Sequence, residues 1–388
     1  MKKVIIFLLI CIPLIGFTQE DIVSTRASFI TKFKFKILTG GVIIVNAQIE
    51  NHPDTLNFIF DTGNSGISLD STTVSNLKLN IESSTSFIRG ISGIRKAYFV
   101  KNYSLLLPGL KVDKLNFHVS DYELISSTYG ITIHGIIGNS FFRQFIAQID
   151  YDNQEISIYH PGEFNYPTKG FLIKPMFTSY PTYNVSFKEH IKLNVPSIVD
   201  IGAGVNFIAV ASLNKETPYF KKNKKSYETY VGGLGGKKTM QLTVLDKLKF
   251  GPYAFRKVPI LEFEDDFKLL NYPSLGGILG NDLLRRFNLV LNYPSQVIHF
   301  SPNKYFNDVI KKLKARGGQD QLLMFLMGPA GSGKSTAMKD TQQFCYEFCI
   351  AVGIMWSDKT FIFTAYTGSA ASLLGGVTIS KAAFLNQR

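Results

Sequence analysis

Phe58-Ile-Phe-Asp-Thr-Gly-Asn-Ser-Gly66 carries an apolar run into an aspartate and a tight turn, and Ser197-Ile-Val-Asp-Ile-Gly-Ala-Gly-Val205 repeats the pattern. The two aspartates, Asp61 and Asp200, stand 139 residues apart. A glycine-rich block follows each of them, Ile88-Arg-Gly-Ile-Ser-Gly93 and Val231-Gly-Gly-Leu-Gly-Gly236, with basic residues next. Further on, His134-Gly-Ile-Ile-Gly-Asn-Ser-Phe-Phe-Arg is echoed by Gly276-Gly-Ile-Leu-Gly-Asn-Asp-Leu-Leu-Arg, with Gly138 and Gly280 142 residues apart. Three blocks in the same order at a nearly constant offset mean a duplicated unit.

Within each copy, short β-branched and aromatic runs broken by Gly, Asn, Pro and Asp predict strands and hairpins. Residues 42–49 and 56–60 read as early strands, and 149–159 as a hairpin turning at Asp152-Asn153. Helices are expected after the Gly-Asn pairs, over 140–145 and 282–287. The expected fold is mainly β, with two similar β-barrel-like units at 26–160 and 171–302, joined near 161–170. Duplication is equally compatible with a β unit that carries no chemistry. Asp61 and Asp200, however, are both presented from tight turns, and a pseudo-twofold pairing of the units would bring them together. Two carboxylates about 3 Å apart cannot both ionise easily, so they share a proton. The charged one can deprotonate a water while the protonated one polarises a carbonyl, and the titration belongs to the pair.

On these motifs, residues 26–302 resemble a two-lobed aspartic peptidase, with lobes similar to the retropepsin-like and pepsin-like aspartyl proteases. Asp61-Thr62-Gly63 matches the family's catalytic triplet, and Ile136-Ile137-Gly138 and Ile278-Leu279-Gly280 match the apolar-apolar-Gly signature that packs beneath the catalytic loop. The resemblance implies Asp61 and Asp200 as catalytic residues, supported by Thr62, Gly63 and Gly202, with flap hairpins at Gly90, Gly93, Gly233 and Gly235. It also implies a peptide or protein substrate, a catalytic monomer, and chemistry without a metal or organic cofactor. Two positions depart from the pattern. Ile201 lacks the hydroxyl that would hydrogen-bond across the lobes, a loss on the order of 1 kcal/mol, and Asn64 stands where alanine or serine is usual. An inert cleft that binds peptides is therefore the alternative to an active endopeptidase.

The chain has 388 residues, 45% hydrophobic and 18% charged, which excludes a disordered chain. Three cysteines exclude a disulfide-stapled scaffold. Lys2 and Lys3, then an apolar run from Val4 to Phe17, then Gly16 and Thr18 at −3 and −1, read as a signal peptide over 1–18. The run is short for a membrane span. Export is thus expected, to the periplasm, cell surface or medium, without a nucleic-acid partner. The formal charge of +13 is concentrated in this leader and in residues 303–388, where ten Lys/Arg face five Asp/Glu. The run Lys221, Lys222, Lys224 and Lys225 reads as a solvated loop. The six histidines show no metal-ligand spacing.

After a basic linker at 303–320 the composition changes. Gly328-Pro-Ala-Gly-Ser-Gly-Lys334-Ser335 is a full P-loop pattern, with Gly328, Gly331, Gly333, Lys334 and Ser335 expected to hold ATP and Mg²⁺. With the Thr-Gly-Ser-Ala-Ala that follows residue 366, residues 321–388 resemble a truncated α/β P-loop fragment of PIF-type superfamily 1 DNA helicases, which makes an ATPase or helicase relative a further alternative. An exported protein meets little ATP, so the simplest expectation is a chimera whose tail contributes no activity.

Overall fold

The computed structural model describes residues 25–90, 93–177, 179–220, 224–233, 236–266, 268–270 and 274–306, and beyond them 342–343, 346, 364–365 and 377–378. The expected signal peptide, the P-loop residues Gly328, Gly331, Gly333, Lys334 and Ser335, and the flap residue Gly235 lie outside the described residues.

The first copy runs β1 (Phe29–Lys34), β2 (Lys36–Ile37), β3 (Ile43–Ile49), β4 (Leu56–Phe60), β5 (Ile67–Asp70), α1 (Ser71–Asn76), β6 (Glu82–Gly90), β7 (Gly93–Leu107), β8 (Leu110–Ser120), α2 (Glu123–Tyr129), β9 (Gly135–Ile137), α3 (Asn139–Phe142), β10 (Ile146–Asp150) and β11 (Glu155–Tyr159). The second runs β12 (Phe171–Ile173), β13 (Met176–Phe177), β14 (Pro181–Lys188), β15 (Lys192–Val199), β16 (Phe207–Val210), α4 (Ala211–Glu216), β17 (Tyr227–Gly233), β18 (Gly236–Phe250), β19 (Tyr253–Phe263), β20 (Gly277–Leu279), α5 (Asn281–Leu284), β21 (Phe287–Asn292) and β22 (Val297–Pro302).

The fold is mainly β, and the duplication is carried by its strand pairing. One eight-stranded sheet has the order β2-β3-β4-β9-β5-β8-β7-β6, and the other has β13-β14-β15-β20-β16-β19-β18-β17. Position by position these are the same sheet, down to the extra pairings β3–β7 and β14–β18. A third, six-stranded sheet, β1-β11-β10-β21-β22-β12, is shared by the two copies. Its seam is the antiparallel pair β10–β21, with Ile146 opposite Asn292 and Ile149 opposite Leu289. Phe171, Phe287 and Phe300 of this sheet pack around Phe250 of β18, with the Phe250 and Phe300 centroids 4.9 Å apart.

β4, with sequence Leu-Asn-Phe-Ile-Phe, is buried over most of its length because it lies inside its sheet, between β3 and β9. A continuous apolar run fits such a strand better than alternation does. β4 and β15 each lie parallel to the apolar-apolar-Gly strand of their own copy, Phe58 opposite Gly135 and Ser197 opposite Gly277. Each aspartate therefore leaves the end of a fully paired strand.

Three expectations need correction. The helices after the Gly-Asn pairs begin at the asparagines and last one turn, ending at Phe142 and Leu284 rather than at 145 and 287, because the chain must enter β10 and β21 at once. Three helices were not expected. Of these, α1 is built from the poor helix formers Ser-Thr-Thr-Val-Ser-Asn and is held by Asp70, whose Oδ2 accepts the Thr73 N–H at 3.0 Å. Lys224 does not belong to a solvated loop: its ammonium lies 2.8 Å from Glu189 Oε1, whose side chain is fully buried. No described helix is long and apolar enough to cross a membrane.

Candidate active site

The two aspartates occupy equivalent turns. The Asp61 N–H donates to Ile137 O and the Asp200 N–H to Leu279 O, both at 2.9 Å, which pins each turn to its apolar-apolar-Gly strand. Beyond that strand the Asn139 N–H donates to Asn64 O at 2.9 Å, and the Asn281 N–H to Ala203 O at 2.7 Å. Gly138 and Gly280 lie so close beneath the turns that a Cβ on either would run into the carbonyls above, Gly66 O and Val205 O respectively. This is the structural content of the third repeated block.

Each carboxylate accepts hydrogen bonds within its own turn. Asp61 Oδ1 accepts the Gly63 N–H at 2.6 Å, and Asp200 Oδ1 accepts those of Gly202 at 2.7 Å and Ala203 at 3.0 Å. Each also lies against the other copy's glycine. A Cβ on Gly63 would run into the Asp200 carboxylate, and one on Gly202 into that of Asp61. The structure thus brings Asp61, Asp200, Gly63 and Gly202 into one cluster, with the carboxyls close enough for each to act on the other's titration. Burial pushes the Asp61 carboxyl well above the ordinary carboxylate range, and the charge of Asp200 adds to the effect. Burial raises Asp200 too, but its hydrogen bonds from Asp61 and from the Gly202, Ala203 and Gly63 N–H groups oppose this. The pair therefore retains one proton, shared between the two carboxyls, at a pH where isolated carboxyls have lost theirs.

Thr62 forms a cross-connection between the two copies. Its Oγ1 donates to Val199 O at 2.7 Å and accepts the Ile201 N–H at 3.0 Å, so one side chain ties the two turns together. Ile201 cannot return the contact, and its side chain is buried in the core instead. Asn64, the other departure, uses Oδ1 to accept the Gly66 N–H at 3.1 Å and so closes its own turn. Thr62→Val should cost about 1–3 kcal/mol, because it leaves the buried Ile201 N–H and Val199 carbonyl without their partner. Thr62→Ser should restore most of the loss. Urea unfolding of the full chain followed by far-UV circular dichroism checks this, and equal stability of parent and Thr62→Val would count against the tie.

The remaining expected site residues form hairpin ends. Gly90 pairs with Gly93 at the end of β6–β7, and Gly233 pairs with Gly236 at the end of β17–β18. The second hairpin rests on α2, and a Cβ on Gly232 would stand 3.2 Å from Leu124 Cγ.

Several residues around the pair had no motif to announce them. Tyr129, Tyr180 and Tyr293 all feel both aspartates, although burial is the larger cause of their raised hydroxyl pKa values. They therefore stay neutral hydroxyls beside the carboxyl pair. Asn139 and Asn281 act as ties between the copies: Asn139 Nδ2 donates to Ser179 O at 2.9 Å, and Asn281 Nδ2 donates to Gly41 O at 2.6 Å. The Tyr151 hydroxyl also donates to Asn281 Oδ1 at 2.9 Å. Alignment of the repeats marks both asparagines but says nothing of their partners. Among the described residues, no three His, Cys, Asp or Glu side chains form a group that could hold a metal ion.

Residues 45–141 match the family model for aspartyl proteases. The match covers Asp61-Thr62-Gly63, the first hairpin and Ile136-Ile137-Gly138, and it supports an aspartyl protease domain in this stretch with peptidase activity of the aspartic type in general. It ends before Asp200. No curated protein matches the chain.

Proposed function

We propose that the chain is an exported aspartic endopeptidase in which Asp61 and Asp200 act as one acid–base pair. The observation that carries this reading is the mutual approach of the two carboxyls, each seated against the other copy's glycine. In the proposed reaction the ionised Asp200 takes a proton from a water as its oxygen attacks the peptide carbonyl carbon. Asp61 gives its proton to the carbonyl oxygen, forming a gem-diol. Collapse of the diol breaks the C–N bond: the proton held by Asp200 goes to the departing amine, and one diol hydroxyl returns its proton to Asp61 as the new carbonyl forms, which restores the starting pair. No cofactor takes part. The two copies are the lobes of one catalytic unit, so a monomer suffices, and the glycine-ended hairpins close over an extended peptide. The leader at Lys2–Thr18 is the support for export.

Ile201 favours a second reading, a cleft that binds peptides without cutting them, since it deprives the turns of half of a reciprocal tie. Peptide-library cleavage by the full chain from about pH 3 to about pH 8 separates the two. An active pair gives a bell-shaped profile. Its acid limb marks the loss of the ionised partner, and its alkaline limb, where the shared proton is lost, lies above the ordinary carboxylate range because burial raises Asp61. Absence of cleavage by a folded chain across the whole range would leave the binding cleft. We assign the P-loop pattern no part in this chemistry.

A further inference from the structure

The two copies differ most, in chemistry, on the walls that flank the carboxyl pair. Strand register fixes which residues correspond. In the first copy, β5 and β8 lie parallel with Ser68 opposite His118 and Asp70 opposite Ser120. In the second, β16 and β19 lie parallel with Ile208 opposite Leu261 and Val210 opposite Phe263. The counterparts of Ser68, His118 and Ser120 are thus Ile208, Leu261 and Phe263, which are buried in an apolar cluster with Met240 and Ile278.

On the first side the same region is an open pocket of about 300 Å³, walled by Ser68, His118, Ser120 and Tyr122 and adjoining Asn64 and Ser65 of the Asp61 turn. Phe87 and Ile88 of the first hairpin also line it. Tyr122 is close enough for the charge of Asp61 to act on its hydroxyl. The polar groups here are only partly satisfied. The Ser68 and Tyr122 hydroxyls share one hydrogen bond at 2.7 Å, and Ser68 Oγ also accepts from Asn64 Nδ2 at 3.4 Å. His118, wedged between Gly66 and the Phe99 ring, has no hydrogen-bond partner for its buried Nδ1 among the described residues. Burial lowers its imidazole pKa and so favours the neutral ring, which offers one donor and one acceptor.

Hydroxyls and an imidazole with spare bonding capacity penalise an apolar guest, which leaves them dry and unpaired, and reward one that completes their hydrogen bonds. We propose that Ser68, His118 and Ser120 determine specificity, and that this pocket takes a hydrogen-bonding side chain of glutamine or glutamate size from the substrate. Lys268, exposed at the rim, makes glutamate as acceptable as glutamine. The inference rests on the proposed peptidase reading for its substrate, a peptide lying across the carboxyl pair.

The test uses the full chain and pairs of peptides differing only in Gln, Glu or Leu beside the scissile bond, each made also with a reduced –CH₂–NH– bond that cannot be hydrolysed. Expected is a preference of about tenfold or more for Gln and Glu over Leu at one flanking position, in kcat/KM for the cleavable set and in Kd for the reduced set. His118→Leu and Ser120→Val, which convert the wall toward its counterpart, should each shrink that ratio, and the double variant should invert it. An equal or greater preference for Leu at both flanking positions in the unmodified chain would overturn the proposal, whether or not the variants fold. If nothing is cleaved, the peptidase reading falls, and the reduced peptides still decide the pocket: Gln-selective binding supports it and Leu-selective or unselective binding overturns it.

Discussion

Asp61→Asn and Asp200→Asn should each lower peptide cleavage by the full chain about 10³-fold or more while leaving the fold intact. Asparagine keeps the shape of the carboxyl, so the turn hydrogen bonds from Gly63 to position 61, and from Gly202 and Ala203 to position 200, keep an acceptor oxygen. What disappears is the shared proton. With Asn at position 200 nothing takes the proton from water, and with Asn at position 61 nothing delivers one to the carbonyl oxygen. A pair that acts as a unit makes the two single losses similar and the double variant scarcely worse than either. Stability supplies an independent readout with a definite sign. Burial raises the folded-state pKa of Asp61 above its ordinary 3.8, so between that value and the raised one the native state holds a proton the unfolded chain has released. The native state therefore weakens as pH rises through this window. Asp61→Asn removes the titration and should overtake the parent in stability toward neutral pH. Unfolding curves that run parallel at every pH, or cleavage surviving either substitution, would sink the acid–base pair.

Where the sequence was legible, the reason was repetition. The aspartate turns, the glycine-ended hairpins and the apolar-apolar-Gly strands recur because each is locked by short-range backbone geometry: a strand end, a tight turn, and a gap beneath that turn with no room for a Cβ. Such constraints leave residue types fixed at fixed positions, and they can be read without knowing the partner. What escaped depends on contacts distant in sequence. α1 has no helical periodicity, and the carboxylate that caps it is itself held by the Tyr122 N–H, 52 residues away. The Asn281–Gly41 hydrogen bond spans 240 residues. Tyr129, Tyr180 and Tyr293 come to the carboxyls from a helix, a loop and the end of a strand, in no common pattern. The contrast between Ser68, His118, Ser120 and their apolar counterparts lies outside the three repeated blocks. It becomes visible only once parallel pairing fixes the register of β5 with β8 and of β16 with β19.

Gly202→Ala and Gly63→Ala should be nearly as damaging as loss of a carboxyl, though neither glycine has a group that can exchange a proton. A methyl at 202 would occupy the space of the Asp61 carboxyl, and one at 63 that of Asp200. The neighbour in each case is a short side chain hydrogen-bonded within its turn, so it cannot swing aside as the end of a lysine would. Either the carboxyl leaves its hydrogen bonds or the turn backs away, and the backbone has little freedom because Asp61 and Asp200 are tied to Ile137 and Leu279. Displacing catalytic groups by about 1 Å costs on the order of 10²-fold in rate, so at least that loss is expected from each alanine. The two substitutions should also separate the carboxyls, bringing the alkaline limb of any residual activity back toward the ordinary carboxylate range as Asp61 loses the neighbouring charge of Asp200. A rate profile over pH for the full chain and both variants measures the two effects together. Near-parental activity in either alanine variant would mean that the carboxyls do not approach each other as closely as the proposed proton sharing requires.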